Sequence, residues 1–198
     1  MKKLIPIIVI AIVAFGLYTW GKNFNNEAVN LKESASKSWG DVESSYQRRN
    51  DLIGNLVKTV QGAADFEKST LEAVIKARSE ATKTSIDPSN ITPEDLAAFN
   101  QAQSGLSSAL SRLLVTVERY PDIKANQNFL ELQSQLEGTE NRINVSRDRF
   151  NEAVEPYNKH VKTFPNSLIA GILNFDAMEY YKAEAGSENA PDVEFDFD

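Results

Sequence analysis

Apolar side chains follow three regimes along the chain: an unbroken run at the start, seven-residue repeats through the middle, and alternation with acids at the end. The unbroken run is Leu4 to Trp20 (LIPIIVIAIVAFGLYTW). Its 17 positions hold no charge, and at 1.5 Å per residue they make about 25 Å of helix, near the lower limit for crossing hydrocarbon. Pro6 falls in the first turn, where its missing N–H is harmless, while Tyr18 and Trp20 stand where an interfacial aromatic belt belongs. Lys2, Lys3 and Lys22 bracket the run. Residues 1–22 are therefore the expected membrane anchor, marked by Lys3, Leu4, Ile8, Ile12, Phe15, Tyr18, Trp20 and Lys22. A cleaved signal peptide begins the same way, but cleavage needs small residues after the apolar run, and Tyr18, Thr19, Trp20, Gly21 and Lys22 stand there instead. Two lysines and the amino group precede the span and one lysine follows closely, so the positive-inside bias places the rest of the chain outside the cytoplasm by a narrow count.

Between Asn25 and Phe164 no alternation is long enough for a strand, and apolar residues recur at helical spacing. Trp39, Tyr46, Ile53 and Val60, beside Val42, Arg49, Leu56 and Ala63, predict a long first helix from Asn25 to about Ala64. Leu71, Val74, Ile75 and Arg78 predict a short second helix over Glu67 to Lys83. The stretch Ser85 to Pro93 (SIDPSNITP) is a loop, and Thr92, Pro93, Glu94 and Asp95 start a third helix with a capping hydroxyl, a first-position proline and first-turn acids. Its stripe is Phe99, Leu106, Leu113 and Tyr120 beside Gln103, Leu110 and Val117. Pro121 ends it near Tyr120, and Asp122 is the expected cap of the next helix. That fourth helix carries Phe129, Leu136, Ile143, Phe150, Tyr157 and Phe164 at a constant spacing of seven, flanked by Leu132, Thr139, Ser146 and Ala153 and widened by Val154 and Val161. Pro156 inside it should produce a bend, and Pro165 closes it.

Each helix has one apolar stripe and must bury it against the others. The expected fold is all-α: an N-terminal transmembrane helix followed by an elongated antiparallel up-and-down four-helix bundle over residues 23–165. After the bundle, residues 166–183 (NSLIAGILNFDAMEYYK to Lys182) are apolar enough to lie on the membrane or to cap the bundle. Residues 184–198 carry six acids and no base, which predicts a disordered tail. Val193, Phe195 and Phe197 alternate with those acids and could dock on a partner strand or groove.

Charge and composition remove several functions. With 21 basic against 28 acidic residues, a net charge of -7 and no basic tract, the chain lacks the clustered cations that nucleic acid demands. The absence of cysteine excludes disulfides, thiol catalysis and thiolate metal sites. A bundle could hold a di-metal carboxylate centre only with two Glu-x-x-His elements, and the sequence has a single histidine, His160, with Tyr157 three positions before it. No Gly-rich phosphate loop, HExxH or GxSxG occurs. No catalytic residue, metal ligand or cofactor is expected, and His160 reads as a bundle-edge or surface residue.

The stretches Tyr46–Val60 (YQRRNDLIGNLVKTV), Glu118–Ile143 (ERYPDIKANQNFLELQSQLEGTENRI) and Phe150–Pro165 (FNEAVEPYNKHVKTFP) together resemble the LemA family, over nearly all of the chain from the anchor to Pro191. The resemblance implies a single-pass bacterial inner-membrane protein with a long up-and-down helical bundle and no defined molecular activity. Some members stand beside genes for membrane proteases or TPM-domain proteins, and one subset resembles components of magnetosome membranes. Gly54 occupies a position where many members have proline, which softens the kink expected there.

Polar residues on the stripes are the remaining candidates. Arg49 sits in the seam of the first helix, and Glu137, Glu140, Asn141 and Arg142 gather near that of the fourth. A buried Arg49 needs a carboxylate, for which Glu140 is the candidate, unless its alkyl stem carries the charge to solvent. Such a network fixes helix register rather than performing catalysis. The expected function is a non-enzymatic, membrane-anchored helical scaffold that self-associates and presents an acidic rod and tail to protein partners. The competing readings are an adaptor or regulator of a membrane protease, and an enzyme acting on lipid or the envelope, for which no nucleophile and base can be named. Expected partners are the lipid bilayer, a second copy of the chain, and unidentified membrane or envelope proteins.

Overall fold

The computed structural model describes residues 4–62, 66–88 and 90–182, and every regular element among them is α-helical. Val193, Phe195, Phe197 and Lys3 lie outside the described residues. Helix α1 (Leu4–Gln61) runs 58 residues without interruption, roughly 87 Å. The span and the first bundle helix are thus one element. All side chains from Leu4 to Tyr18 are exposed, and the first buried residue is Phe24. From there the buried stripe reads Phe24, Ala28, Ala35, Trp39, Val42, Tyr46, Arg49, Ile53, Leu56 and Val60, alternating steps of three and four with one of seven, as a left-handed bundle requires.

Helices α2 (Lys68–Lys83) and α3 (Pro93–Val117) form a hairpin on α1, α4 (Pro121–Lys124) is a single turn at the far tip, and α5 (Gln127–Lys162) returns along α1 in the most extensive pairing of the molecule. α6 (Asn166–Leu173) packs back at the membrane end. Thr92 caps α3, its Oγ1 accepting from the Asp95 N–H at 3.1 Å and donating to Asp95 Oδ2 at 2.7 Å. Such a cap supplies about 1 kcal/mol by satisfying an orphan N–H.

Several boundaries and stripes differ from expectation. Ile75 is 46% exposed, because α2 touches its neighbours through the narrow row Leu71, Val74 and Ala81. Tyr120 lies outside α3: Pro121 forces it to φ -121°, ψ 82°, away from helical geometry. Pro121 then opens the extra turn α4, which shifts the start of α5. The cap of α5 is consequently Asn126, not Asp122, with Asn126 Oδ1 accepting from the N–H groups of Asn128 and Phe129 at 3.0 and 3.2 Å. Phe164 is exposed, since α5 stops at Lys162 and Pro165 bars its predecessor from continuing it. Pro156 stays within α5 on its exposed side, where water can satisfy the carbonyl that loses its donor.

The interior divides into two cores. Near the membrane it is aromatic: Trp39 meets Phe150 and Phe99 edge-on, with ring centroids 5.2 and 5.6 Å apart, and Phe99 meets Tyr46 at 4.9 Å. Toward the tip it is mostly aliphatic, built on Ile53, Leu56, Val60, Val74, Leu106 and Leu113.

The C-terminal apolar segment also divides. α6 ends at Asn174, whose left-handed backbone (φ 56°) reverses the chain, and residues 175–182 run back up the bundle as a strap. Two asparagines of α5 hold it. Asn158 donates to the Met178 carbonyl and accepts from the Met178 N–H, both at 2.8 Å, and Asn151 does the same to Tyr181 at 2.9 and 2.7 Å.

Candidate functional site

Where the two cores meet, the stripes carry polar side chains. Arg49 is placed there by the heptad of α1, one turn beyond Tyr46, and its side chain is only 4% exposed. Its Nη1 donates to Glu140 Oε1 at 2.8 Å and to Ser107 Oγ at 3.3 Å, and its Nη2 donates to Gln103 Oε1 at 2.6 Å. The guanidinium also lies 5.0 Å from the Tyr46 ring centroid. Glu140 is 51% exposed, so one end of the pair is buried and the other reaches water. Glu137, Asn141 and Arg142 do not join this layer: they are exposed, because the inward row of α5 is Leu136, Thr139, Ile143 and Ser146. Only Glu140, adjacent to Thr139, leans far enough inward to reach Arg49.

A second cluster lies nearer the membrane and was not legible as a network in the sequence. Arg147 donates to the Tyr46 hydroxyl, Tyr46 contacts the Tyr181 hydroxyl at 3.1 Å, and Tyr181 donates to Asn100 Oδ1. Since the Tyr181 proton goes to Asn100, the Tyr46 hydroxyl is the donor to Tyr181, and the bonds run in one direction from cation to amide. Arg147 also lies 4.4 Å from the Tyr181 ring centroid. Burial, reinforced by the neighbouring Tyr46, raises the Tyr181 hydroxyl well above the ordinary phenol range, against the opposing pull of Arg147. Burial acts to lower the Arg147 guanidinium, but its contacts with the two tyrosines outweigh that and its pKa is raised. Tyr157, which donates to the Asp176 carbonyl at 2.8 Å, is raised by burial and by the Asp176 carboxylate.

The third polar group marks the membrane junction. The His160 ring stacks on Phe24 with centroids 4.7 Å apart, its Nε2 contacts the Phe24 carbonyl at 3.1 Å, and its Nδ1 contacts Asn166 Nδ2 at 3.4 Å. The Trp20 indole donates to Asn166 Oδ1 at 3.3 Å. With Asn166 donating to Nδ1, a proton on Nε2 directed at the Phe24 carbonyl satisfies both contacts. His160 is therefore a half-buried edge residue tying α5 and α6 to α1.

These groups serve each other. Among the described residues no cluster of His, Asp or Glu could hold a metal ion. A groove of about 400 Å³ between α1 and α2 is lined by Asn50, Thr82, Gln47 and Glu43. The one signal that could have revealed the strap is Asn151 and Asn158, seven apart and each immediately after a stripe aromatic, Phe150 and Tyr157. Nothing in the sequence pairs Arg147 with Tyr181, which meet only because Asn174 turns the chain.

The family model described as LemA family matches residues 38–195, most of the chain. Magnetosome protein MamQ 2 of Paramagnetospirillum magneticum is 27% identical over 205 residues, covering 95% of this chain and 75% of its own length. Magnetosome protein MamQ of Magnetospirillum gryphiswaldense is 28% identical over 198 residues, covering 91% and 72%. Protein LemA of Metamycoplasma hominis is 23% identical over 158 residues, covering 80% and 68%.

Proposed function

Because the chain belongs to the LemA family, we propose that it is a non-enzymatic, membrane-anchored helical scaffold that self-associates. The observation that carries this reading is the continuity of α1: one helix forms both the exposed apolar span and the buried seam of the bundle. An unbroken helix transmits the orientation of the span to the rod. From Phe24 to Gln61 it extends about 57 Å beyond the membrane junction, so surfaces along its length are held at fixed heights. The buried polar groups support a structural role, since Arg49, Tyr46, Tyr181 and Asn158 spend their hydrogen bonds on neighbouring helices and the strap. Similarity to proteins named for the magnetosome favours a setting at a membrane. We place the rod outside the cytoplasm of a bacterial inner membrane, following the lysine count around the span.

Three measurements test this reading. Light scattering of the detergent-solubilised chain should give a molar mass above that of one protomer. Pull-down with and without residues 184–198 distinguishes the adaptor reading, for which partners should disappear on truncation. Protease added to spheroplasts should cut the rod. A single protomer that recovers no partner in either form would remove the scaffold.

A further inference from the structure

We propose that Phe164 and α6 form a second membrane contact, with α6 lying in the interface of the leaflet from which α1 emerges and its apolar side chains among the acyl chains. The inference builds on the anchor reading of α1 and goes beyond it. α6 is NSLIAGIL, with no charged side chain among its eight residues. Phe164 is 75% exposed, Leu168 60%, Ile172 77% and Leu173 43%, and Leu168 and Ile172, four apart, share one helix face. Four large apolar groups on one short stretch form a patch that water does not favour.

Its position says what covers it. Trp20, the last residue of the apolar run, bonds Asn166 at the start of α6, so α6 sits at the height where α1 leaves the bilayer. An open cavity of about 440 Å³ between the two helices is lined on the α1 side by Leu17, Tyr18, Gly21 and Lys22, then by the polar Asn25 and Asn26 farther along the helix, and on the other side by Ile169, Ile172 and Leu173. The exposed apolar surface of the span thus continues across this gap onto α6, and the gap can be filled by a lipid chain. Length makes the same point: Leu4 to Trp20 gives about 25 Å of apolar helix against a hydrocarbon layer of about 30 Å. α6 adds apolar surface just beyond Trp20, where the span falls short. Lys22, Lys159 and Lys162 are exposed at this end of the molecule, at the height of the headgroup phosphates. The acids of the C-terminal segment, Asp176 and Glu179, belong to the strap rather than to α6.

The chain has no cysteine, so single-cysteine variants can be labelled cleanly with an environment-sensitive fluorophore. Full-length I172C, L168C, F15C and V115C are reconstituted in vesicles of phosphatidylcholine and phosphatidylglycerol. Quenching is compared between lipids bearing a nitroxide high on the acyl chain and aqueous iodide. Val115 is 72% exposed on α3 and supplies the aqueous reference. Labels at 172 and 168 should be quenched by lipid and shielded from iodide several-fold relative to 115. A 172 label open to iodide while the 15 label is lipid-quenched overturns the interfacial contact alone. A 172 label shielded from both quenchers overturns it in favour of a second copy or another protein segment. An unquenched 15 label removes the anchor and this contact together.

Discussion

Arg49 destabilises the bundle unless its acceptors stay in place. Removing a guanidinium from water costs several kcal/mol, and its attraction to Glu140 and Gln103 offsets that only while both remain. Glu140→Ala should therefore cost about 1–3 kcal/mol, toward the low end because the carboxylate is half in water. Arg49→Met, which removes the charge itself, should cost about 1 kcal/mol or less, mainly through the unpaired Gln103. Denaturant unfolding followed by circular dichroism checks the order, and the buried-pair account fails if R49M is the worse of the two. Tyr181 makes the layer nearest the strap sensitive to alkali. Its hydroxyl has a raised pKa in the fold against 10.0 unfolded. The stability it contributes is complete below about pH 10 and is lost as pH climbs through the folded value. Near-ultraviolet circular dichroism should show tertiary signal decaying above pH 10, and Tyr181→Phe should flatten that decay while costing about 1 kcal/mol at neutral pH for the lost hydrogen bonds.

Among the elements, the strap has no helix ladder of its own and is held by side chains: Asn151 and Asn158 bond its backbone, Tyr157 donates to the Asp176 carbonyl, and the Tyr181 hydroxyl joins Tyr46 and Asn100. Asn158 is 3% exposed and supplies both partners of the Met178 backbone, so Asn158→Ala leaves a buried N–H and C=O unpaired. Residues 175–182 should then exchange amide hydrogens faster, by an amount matching about 1–3 kcal/mol, while α1 and α5 are unchanged. Uniform loss of protection across the bundle would show instead that the strap and the helices open as one unit. The strap also lies beyond the heptad pattern. The long stripes of α1 and α5 were legible because Trp39, Tyr46, Ile53 and Phe150 repeat at a fixed period and each must be buried. Asn126 as the cap was not, because Pro121 admits either an immediate helix or an extra turn, and the choice depends on Ile123 finding the distal core. Arg49 with Glu140 could be named from seam positions alone. The Arg147, Tyr46 and Tyr181 cluster could not, because it depends on a reversal at Asn174 that no repeat announces. The early start of the α1 stripe was hidden by Ala28 and Ala35, small residues that are fully buried yet add little to an apolar pattern.

For the whole molecule, the decisive property is that the rod has no joint between bilayer and tip on the α1 side. A helix bends sharply where a proline, an insertion or a lost hydrogen bond intervenes, and α1 has no proline after Pro6. Gly16, Gly21 and Gly40 meet no neighbouring atom within 4 Å at the Cβ position and leave the helix intact. The height of the tip above the membrane is then set by geometry: a label at Gln61 should sit about 57 Å from the junction when the rod stands upright, and lower in proportion to its tilt. Energy transfer from Q61C to acceptor headgroups in vesicles should therefore give one narrow distance distribution. Asn23→Pro tests the cause. Asn23 is exposed and precedes the first buried residue, Phe24, so the substitution breaks the helix between span and rod while sparing the core. It should lower the mean height and broaden the distribution while leaving the bundle's unfolding transition within about 1 kcal/mol, because the roughly 3 kcal/mol of an interior proline falls on a helical turn outside the cooperative core. If the unsubstituted chain already shows a broad distribution, helix continuity does not fix the rod, and the contacts of Trp20 and α6 at the membrane junction are too weak to replace it.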